Sequence, residues 1–297
     1  MVVIMEAKPV KAKILEEILK QVEIITRNYE IKPKLAVVQV EGNPASDTYV
    51  RNKMTACNNA GIDSVKRILP KNSNLGNIET VVNELNEDPS INGILVQLPI
   101  PGFKQVDNSY FSNLVIPEKD VDGFTDSNLE LLLEGKPRFE PCTPKGILAL
   151  LDAYNISLED KRIVIAGSSR IVGTPLSYIF QNRGINKVHV QNLETPDSCR
   201  SLELKHADIV VAAIGNPHYY SDPAQFKEGV VLVDVGINPG FSYKGRTIIA
   251  GDINFDTVNG IASAITPVPG GVGPMTVMML MKNTIEAFYL QNPKLES

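Results

Sequence analysis

The sequence predicts an α/β protein of two domains built on parallel sheets. Three observations lead there. Short apolar runs alternate with segments of helical spacing along the chain, which is the signature of strand–helix–strand units. At 297 residues the chain is long enough for about two domains, each with its own core. A proline-rich stretch, 137–144, separates two such series and reads as a boundary.

In order along the chain, residues 11–29 carry Ile14, Leu15, Ile18, Leu19, Val22 and Ile25 at helical spacing. Residues 35–40 form a short Val-rich run, read as a buried strand, and 46–60 as a helix with Asn43-Pro44 before it and Gly61 as its stop. Residues 93–98 read as a strand ended by Pro99 and Pro101. Beyond the boundary a helix is expected over 145–154 and strands over 162–166, 187–190, 208–214 and 230–235. A helix over 172–182 joins the first two of those strands, and a helical run over 277–287 lies near the end of the sequence. No internal repeat or low-complexity tract interrupts the pattern.

Bulk properties narrow the function classes. Hydrophobic content of 43% with 21% charged residues is ordinary globular composition. A net charge of −5 lacks the electrostatic footprint of a nucleic-acid or anionic-membrane partner. The three cysteines, Cys57, Cys142 and Cys199, are odd in number and far apart. They form no metal-ligand cluster, and the expectation is reduced thiols in the cytoplasm with no metal. Residues 1–5 are apolar but short and are followed by Glu6, and no run reaches the length of a membrane span.

Several segments offer chemistry. Residues 266–276 hold three prolines and three glycines in eleven positions. Prolines fix φ and glycines permit close backbone approach, so this is a stiff, side-chain-poor ribbon suited to lying against a ligand, or a rigid connecting loop. Gly167-Ser168-Ser169-Arg170-Ile171-Val172-Gly173 follows an expected strand and opens a helix. Backbone N–H groups at such a site bind phosphate, although Ser169 departs from G-x-G-x-x-G and a structural turn explains the pattern equally well. Gly215 and Gly236 stand at the ends of two further strands of that series, where ligands of open parallel sheets sit. In the first half, Tyr49 and Lys53 share a helix face. Gln97 ends a strand, where its amide either faces a site or caps the chain. Asp120 and Asp122 flank Val121 before Gly123, which by itself is a turn signal.

Together these segments resemble the methylenetetrahydrofolate dehydrogenase/methenyltetrahydrofolate cyclohydrolase family of one-carbon metabolism. The matching stretches are Tyr49-Val50-Arg51-Asn52-Lys53, Gln97-Leu98-Pro99-Ile100-Pro101, Lys119-Asp120-Val121-Asp122-Gly123-Phe124, Pro141-Cys142-Thr143-Pro144, Ile171-Val172-Gly173, Asp234-Val235-Gly236-Ile237-Asn238 and 266–276. They occur in the family's order and span nearly the whole chain. The resemblance implies two α/β domains across a cleft: a folate-binding domain over 1–140, completed by a C-terminal helix over 275–290, and a Rossmann-like NAD(P)-binding domain over 141–274. It also implies a homodimer through the second domain.

The resemblance further implies tetrahydrofolate substrates and two activities: oxidation of the methylene to the methenyl folate, and hydrolysis of that product to 10-formyltetrahydrofolate. Lys53 would be the catalytic lysine, since a lysine partly withdrawn from water can shuttle the proton of the attacking water. Gln97 would orient it, and Tyr49 would position the folate ring. Asp122 would accept from the pterin amino and ring N–H groups. Ser46 would assist, or cap its helix. Pro267, Gly270 and Gly271 would border the pocket. Cofactor contacts would come from Gly167, Ser168, Ser169, Ile171, Val172, Gly173, Glu194, Gly215, Gly236 and Ile237.

The cofactor half departs from the family. The usual Gly-Arg-Ser is here Gly167-Ser168-Ser169, and Cys-His-Ser-x-Thr is Gln191-Asn192-Leu193-Glu194-Thr195. Ser168 and Leu193 remove a cation and a hydroxyl expected to grip a 2′-phosphate, and Glu194 can accept from a ribose 2′-OH, so NAD is expected to serve at least as well as NADP. Arg170 is the counter-candidate for holding the phosphate. Two other readings compete: a dehydrogenase lacking cyclohydrolase activity, disfavoured by Lys53 and Gln97, and a folate- or nucleotide-binding regulator with degenerate catalysis.

Overall fold

The computed structural model describes residues 2–243 and 246–293. The first half runs β1 (Val3–Ile4), α1 (Ala7–Tyr29), β2 (Lys34–Val40), α2 (Pro44–Asn59), β3 (Asp63–Leu69), α3 (Leu75–Glu87), β4 (Gly93–Val96), α4 (Asn108–Ser112) and α5 (Asp126–Leu133). Then come α6 (Cys142–Ala153), β5 (Ile163–Ala166), α7 (Gly173–Asn182), β6 (Val188–Gln191), α8 (Asp197–His206), β7 (Ile209–Ala212) and β8 (Val231–Asp234). β9 (Asn238–Tyr243), β10 (Arg246–Ala250), α9 (Phe255–Val258), β11 (Ala264–Ile265) and α10 (Val272–Gln291) complete the chain. It divides into two compact units: Lys13–Cys142 with Val277–Ser297, and Met1–Ala12 with Thr143–Thr276.

The first of these is built on a three-stranded parallel sheet in the order β3-β2-β4. Central β2 is buried from Leu35 to Val40, as a strand covered on both faces must be, and so it reads as an unbroken apolar run. Strand β3 escaped the sequence reading because it is an edge strand: Asp63, Arg67 and Ile68 are exposed and the apolar run is broken. Helix α3 also went unread, although Asn74 and Asn77 form a reciprocal capping box and Ile78, Val82 and Leu85 line its buried face. Those three side chains pack with Val38, Ile94 and Phe111 in one core cluster.

The other unit holds a six-stranded, all-parallel sheet in the order β1-β11-β8-β7-β5-β6. The order reverses around β5, whose neighbours are β6 on one side and β7 on the other. That arrangement makes the carboxyl ends of β5 and β7 the switch point where such sheets take ligands. Residues 1–12, assigned with the first domain from the sequence, cluster with this sheet. Val3 and Ile4 pair in parallel with Ala264 and Ile265, and the Met5 N–H donates to the Ile265 carbonyl at 2.8 Å. A two-residue strand whose pairing partner lies some 260 residues away leaves no periodic signal. The closing helix begins at Val272 rather than 275, inside the proline–glycine ribbon. The first-turn N–H groups of a helix have no intrahelical acceptor, so Pro274 there removes no bond.

Candidate active site and cofactor-binding loops

Helix α2 carries Tyr49 and Lys53 one turn apart. Its N-cap is Asn43, whose carbonyl accepts from the Asp47 N–H at 3.1 Å and whose side-chain oxygen accepts from the Ser46 N–H at 3.4 Å. Ser46, given capping as its alternative role, is instead the third helical residue and is buried. The Asn-Pro pair takes the cap and first-turn positions that suit those residue types.

Lys53 Nζ donates to Gln97 Oε1 at 3.0 Å. Gln97 sits just past β4, its N–H donating to the Val38 carbonyl at 2.9 Å and its Nε2 to the Leu98 carbonyl at 2.8 Å. With the amide nitrogen occupied, the oxygen faces Lys53. The strand-end amide therefore presents an acceptor to the lysine rather than merely capping the chain.

Asp122 follows on a tightly held loop. Buried Lys119 donates to the carbonyls of Leu85, Asn86 and Asp88 at 3.1, 2.8 and 2.7 Å, closing the C-terminal end of α3. The Asp120 carboxylate accepts from the N–H groups of Gly123 and Thr125 and from Asn128 Nδ2 at 3.1, 2.8 and 2.8 Å. Gly123, at φ +75°, completes the turn. The Asp120–Gly123 pair thus carries the turn signal and leaves Asp122 available. Burial pushes the Asp122 carboxyl above its usual range; the Lys53 ammonium opposes this, Asp120 adds to it and the Cys142 thiol opposes it. Burial also raises the Tyr49 hydroxyl. Lys53, Gln97 and Asp122 therefore meet electrostatically within one unit, with Tyr49 on the lysine's own helix.

The loops beyond the parallel sheet are packed backbone to backbone. A Cβ on Gly167 (φ +119°) would stand 2.2 Å from the Ala213 carbonyl oxygen, and one on Gly173 would stand 1.8 Å from the Gly167 oxygen. The turn after β5 is thus pressed against both the loop after β7 and the start of α7, an approach only glycine permits. Ser169 stands at the expected middle-glycine position and does local work: its Oγ accepts from the Val172 N–H at 3.2 Å. Ser168 and Ile171 are exposed, Gly215 has φ +76° with open space on its Cβ side, and Ile237 is exposed. These features fit a dinucleotide: a bare backbone turn feeding a helix N-terminus for the phosphates, and an open strand-end glycine, Gly215, in the same sheet. Leu193 is 94% exposed and Glu194 is exposed, on a turn whose N–H groups at 194 and 195 donate to Asn192 Oδ1. The ribbon turns on itself through the Gly271 N–H, which donates to the Pro267 carbonyl at 2.8 Å. A cavity of about 330 Å³ opens beside it, lined by His218, Asp234, Gly251, Thr266, Pro267 and Val268 among others.

Residues 5–122 match the tetrahydrofolate dehydrogenase/cyclohydrolase catalytic domain, and residues 141–292 match the NAD(P)-binding domain of the same family. The chain belongs to the tetrahydrofolate dehydrogenase/cyclohydrolase family. It is 40% identical over 284 residues to the bifunctional protein FolD of a Nitratiruptor species, covering 96% of this chain and 97% of that one. It is 42% identical over 285 residues to FolD of Caldicellulosiruptor saccharolyticus, covering 94% and 98%. Among solved structures, the bifunctional FolD enzyme of Campylobacter jejuni superposes with a TM-score of 0.89 at 39% identity, over 99% of this chain and all of that one. The Trypanosoma brucei enzyme, complexed with NADP and an inhibitor, gives 0.92 at 31% identity, over 100% and 99%.

Sequence reasoning passed over several residues that shape this family's site here. Asn283 of α10 is fully buried and donates to the Val121 and Glu140 carbonyls at 2.8 and 2.9 Å, holding the backbone beside Asp122. Its only signal was a polar residue on an otherwise apolar helix face. Asp234, noted as part of a motif, is buried and accepts from the N–H groups of Gly236, Asp252 and Ile253, each at 2.9 Å. Burial pushes its carboxyl up to about 6 against those bonds, with Asp252 adding to the rise. Asp252 carried no signal at all.

Proposed function

We propose that this chain oxidises 5,10-methylenetetrahydrofolate to 5,10-methenyltetrahydrofolate with a nicotinamide dinucleotide and hydrolyses the product to 10-formyltetrahydrofolate. The observation that carries the hydrolytic half is the Lys53 Nζ–Gln97 Oε1 bond of 3.0 Å, in a unit that also holds Asp122. The methenyl carbon is an electrophile stabilised by two flanking nitrogens. Water adds to it with one proton passing to the Lys53 amine and on to solvent. The bond from that carbon to N5 then breaks with its electron pair returning to N5, which takes up a proton as the added hydroxyl gives up its own and becomes the formyl carbonyl. Gln97 holds the Lys53 Nζ in place, Asp122 accepts from the pterin donor edge, and Tyr49 stacks on the ring, with Ser46 close to the helix start. The bound dinucleotide supplies the hydride acceptor. The oxidative step requires no acid or base from the protein, only that the folate and nicotinamide rings be held in contact. Gly167, Ser168, Ser169, Ile171, Val172 and Gly173 would hold the phosphates, Gly215, Gly236 and Ile237 would border the nicotinamide, and Pro267, Gly270 and Gly271 would border the folate substrate as well as the nicotinamide.

NAD is the preferred cofactor in this reading. Exposed Leu193 offers no donor to a 2′-phosphate, Ser168 carries no charge, and Glu194 repels that group while accepting from a ribose hydroxyl. A homodimer through the dinucleotide-binding domain, acting in the cytoplasm, completes the proposal. Among the described residues no helix is long and apolar enough to cross a membrane. The deciding experiment follows methenyltetrahydrofolate formation spectroscopically with NAD and with NADP, and its hydrolysis without either. Failure to form the methenyl product with both cofactors overturns the dehydrogenase. Catalytic efficiency about tenfold higher with NADP overturns the NAD preference, since one charge-assisted bond is worth about that much.

A further inference from the structure

The loops at the carboxyl end of the six-stranded sheet are poor in side chains, yet they must hold one shape to meet a ligand. What holds them is a single carboxylate. Asp252, 0% exposed, follows β10 and lies more than thirty residues beyond the loop after β7. Its Oδ2 accepts from the N–H groups of Ile214 and Gly215 at 2.6 and 3.0 Å. Its Oδ1 accepts from the Asn216 N–H at 3.0 Å and from Asn238 Nδ2 at 2.8 Å. Three successive backbone N–H groups converging on one point make an anion-binding nest. Here the protein fills the nest with its own carboxylate, so it is an internal anchor and not a phosphate site.

The anchor extends to the other strand ends. The Asp252 N–H donates to Asp234 Oδ1, and the Asp234 N–H donates to Thr266 Oγ1 at 2.7 Å, directly before the ribbon. Two glycines make room for this pair of acids. A Cβ on Gly236 would lie 2.4 Å from Asp252 Oδ1, and one on Gly251 would lie 1.9 Å from Asp234 Oδ2. Gly236 is therefore glycine because a carboxylate packs on it, whatever its part at the cofactor.

We propose that Asp252 is a positioning residue for the cofactor, its carboxylate holding the loops 214–216 and 236–238 in the shape that lets Gly215, Gly236 and Ile237 meet the dinucleotide. The inference rests on the cofactor reading given above. Asp252→Asn is isosteric but not conservative here. Each carboxylate oxygen faces two donors, so whichever way the amide turns, its NH₂ meets N–H groups.

The test compares wild type, Asp252→Asn and Asn238→Ala in three measurements: calorimetric affinity for NAD and NADP without folate, amide hydrogen exchange at 214–216, and methenyl hydrolysis without cofactor. Asp252→Asn is expected to weaken cofactor binding about tenfold or more and to lose protection at those amides. Hydrolysis should stay within about twofold, since Asp252 belongs to the other compact unit and its hydrogen-bond partners are not those of Lys53 or Gln97. Asn238→Ala, which removes one of the four donors, is expected to weaken binding several-fold and decides the matter if Asp252→Asn does not fold. Unchanged affinity, or parallel loss of cofactor binding and hydrolysis, overturns the proposal. A wild-type chain that binds neither cofactor overturns the functional reading itself, whereas a wild type that binds and variants that bind equally well overturn only the role of Asp252.

Discussion

Replacing Lys53 with Met separates the two activities. Methionine keeps most of the stem length and packing of this half-buried side chain while removing its charge and its proton. The direct loss is the proton shuttle. General acid–base groups contribute about a hundredfold to ten-thousandfold, or ~2.7–5.5 kcal/mol of activation free energy. A second loss follows from the structure: Gln97 Oε1 forfeits the donor now 3.0 Å away, and Asp122 forfeits the cation that offsets its burial. The Asp122 carboxyl then rises further above its usual range, so more of it is protonated at the acid end of the working range. Folate affinity should therefore fall more steeply with falling pH in Lys53→Met than in wild type. Hydride transfer needs no proton from Lys53 and should survive, within about tenfold, at saturating folate. The assay is decay of methenyltetrahydrofolate without cofactor, beside its formation from the methylene form with cofactor. Hydrolysis within about fivefold of wild type, well short of the lowest shuttle contribution, would refute the role of Lys53.

Asp122→Ala should weaken folate binding about tenfold to a hundredfold in both reactions, because both use one pterin site; unchanged folate affinity places the pterin elsewhere. Lys119→Met should lower stability by ~2–4 kcal/mol in urea unfolding, since three carbonyls lose their buried donor, and an unshifted midpoint contradicts that account. Asp234 has a folded-state value of about 6 against 3.8, so its contribution to stability is fully present below about pH 4 and is lost as pH rises through about 6, by ~3 kcal/mol. Asp234→Asn lacks that titration, so its stability relative to wild type should improve across the same window; parallel pH profiles would show that burial does not govern the carboxyl. Thiol reagents should modify exposed Cys199 alone in the native chain, because Cys142 is buried and burial pushes the Cys57 thiol up to about 12; rapid loss of a second thiol runs against this.

What the sequence made legible follows from where each signal resides. Strands β5, β7 and β8 are covered on both faces, so each appears as a continuous apolar run and is readable without any partner. Edge strand β3 and the two-residue strands β1 and β11 depend on neighbours for their definition, and their own residues say little. In the same way Tyr49 and Lys53 are one helical turn apart and announce a shared face. The bond from Lys53 to Gln97 spans 44 positions and became readable only through the family's motifs.

The glycines show where such reading stops. Gly167 and Gly173 were singled out as a phosphate turn, and the close approach of the turn to Ala213 and to the helix start gives each a local reason. Gly236 was taken for the same kind of position, yet a side chain there is barred by Asp252, sixteen residues later, and Gly251 is bare because Asp234 lies against it. A missing Cβ records that something comes close. It does not record whether that something is a ligand or the protein's own carboxylate. In this sheet the loop after β7 is closed over an inside carboxylate, while the turn after β5, in the reading proposed above, leaves its helix N-terminus for the cofactor phosphates. On that reading one chain uses the same backbone device twice, to bind and to brace, and only the position of Asp252 tells the two apart.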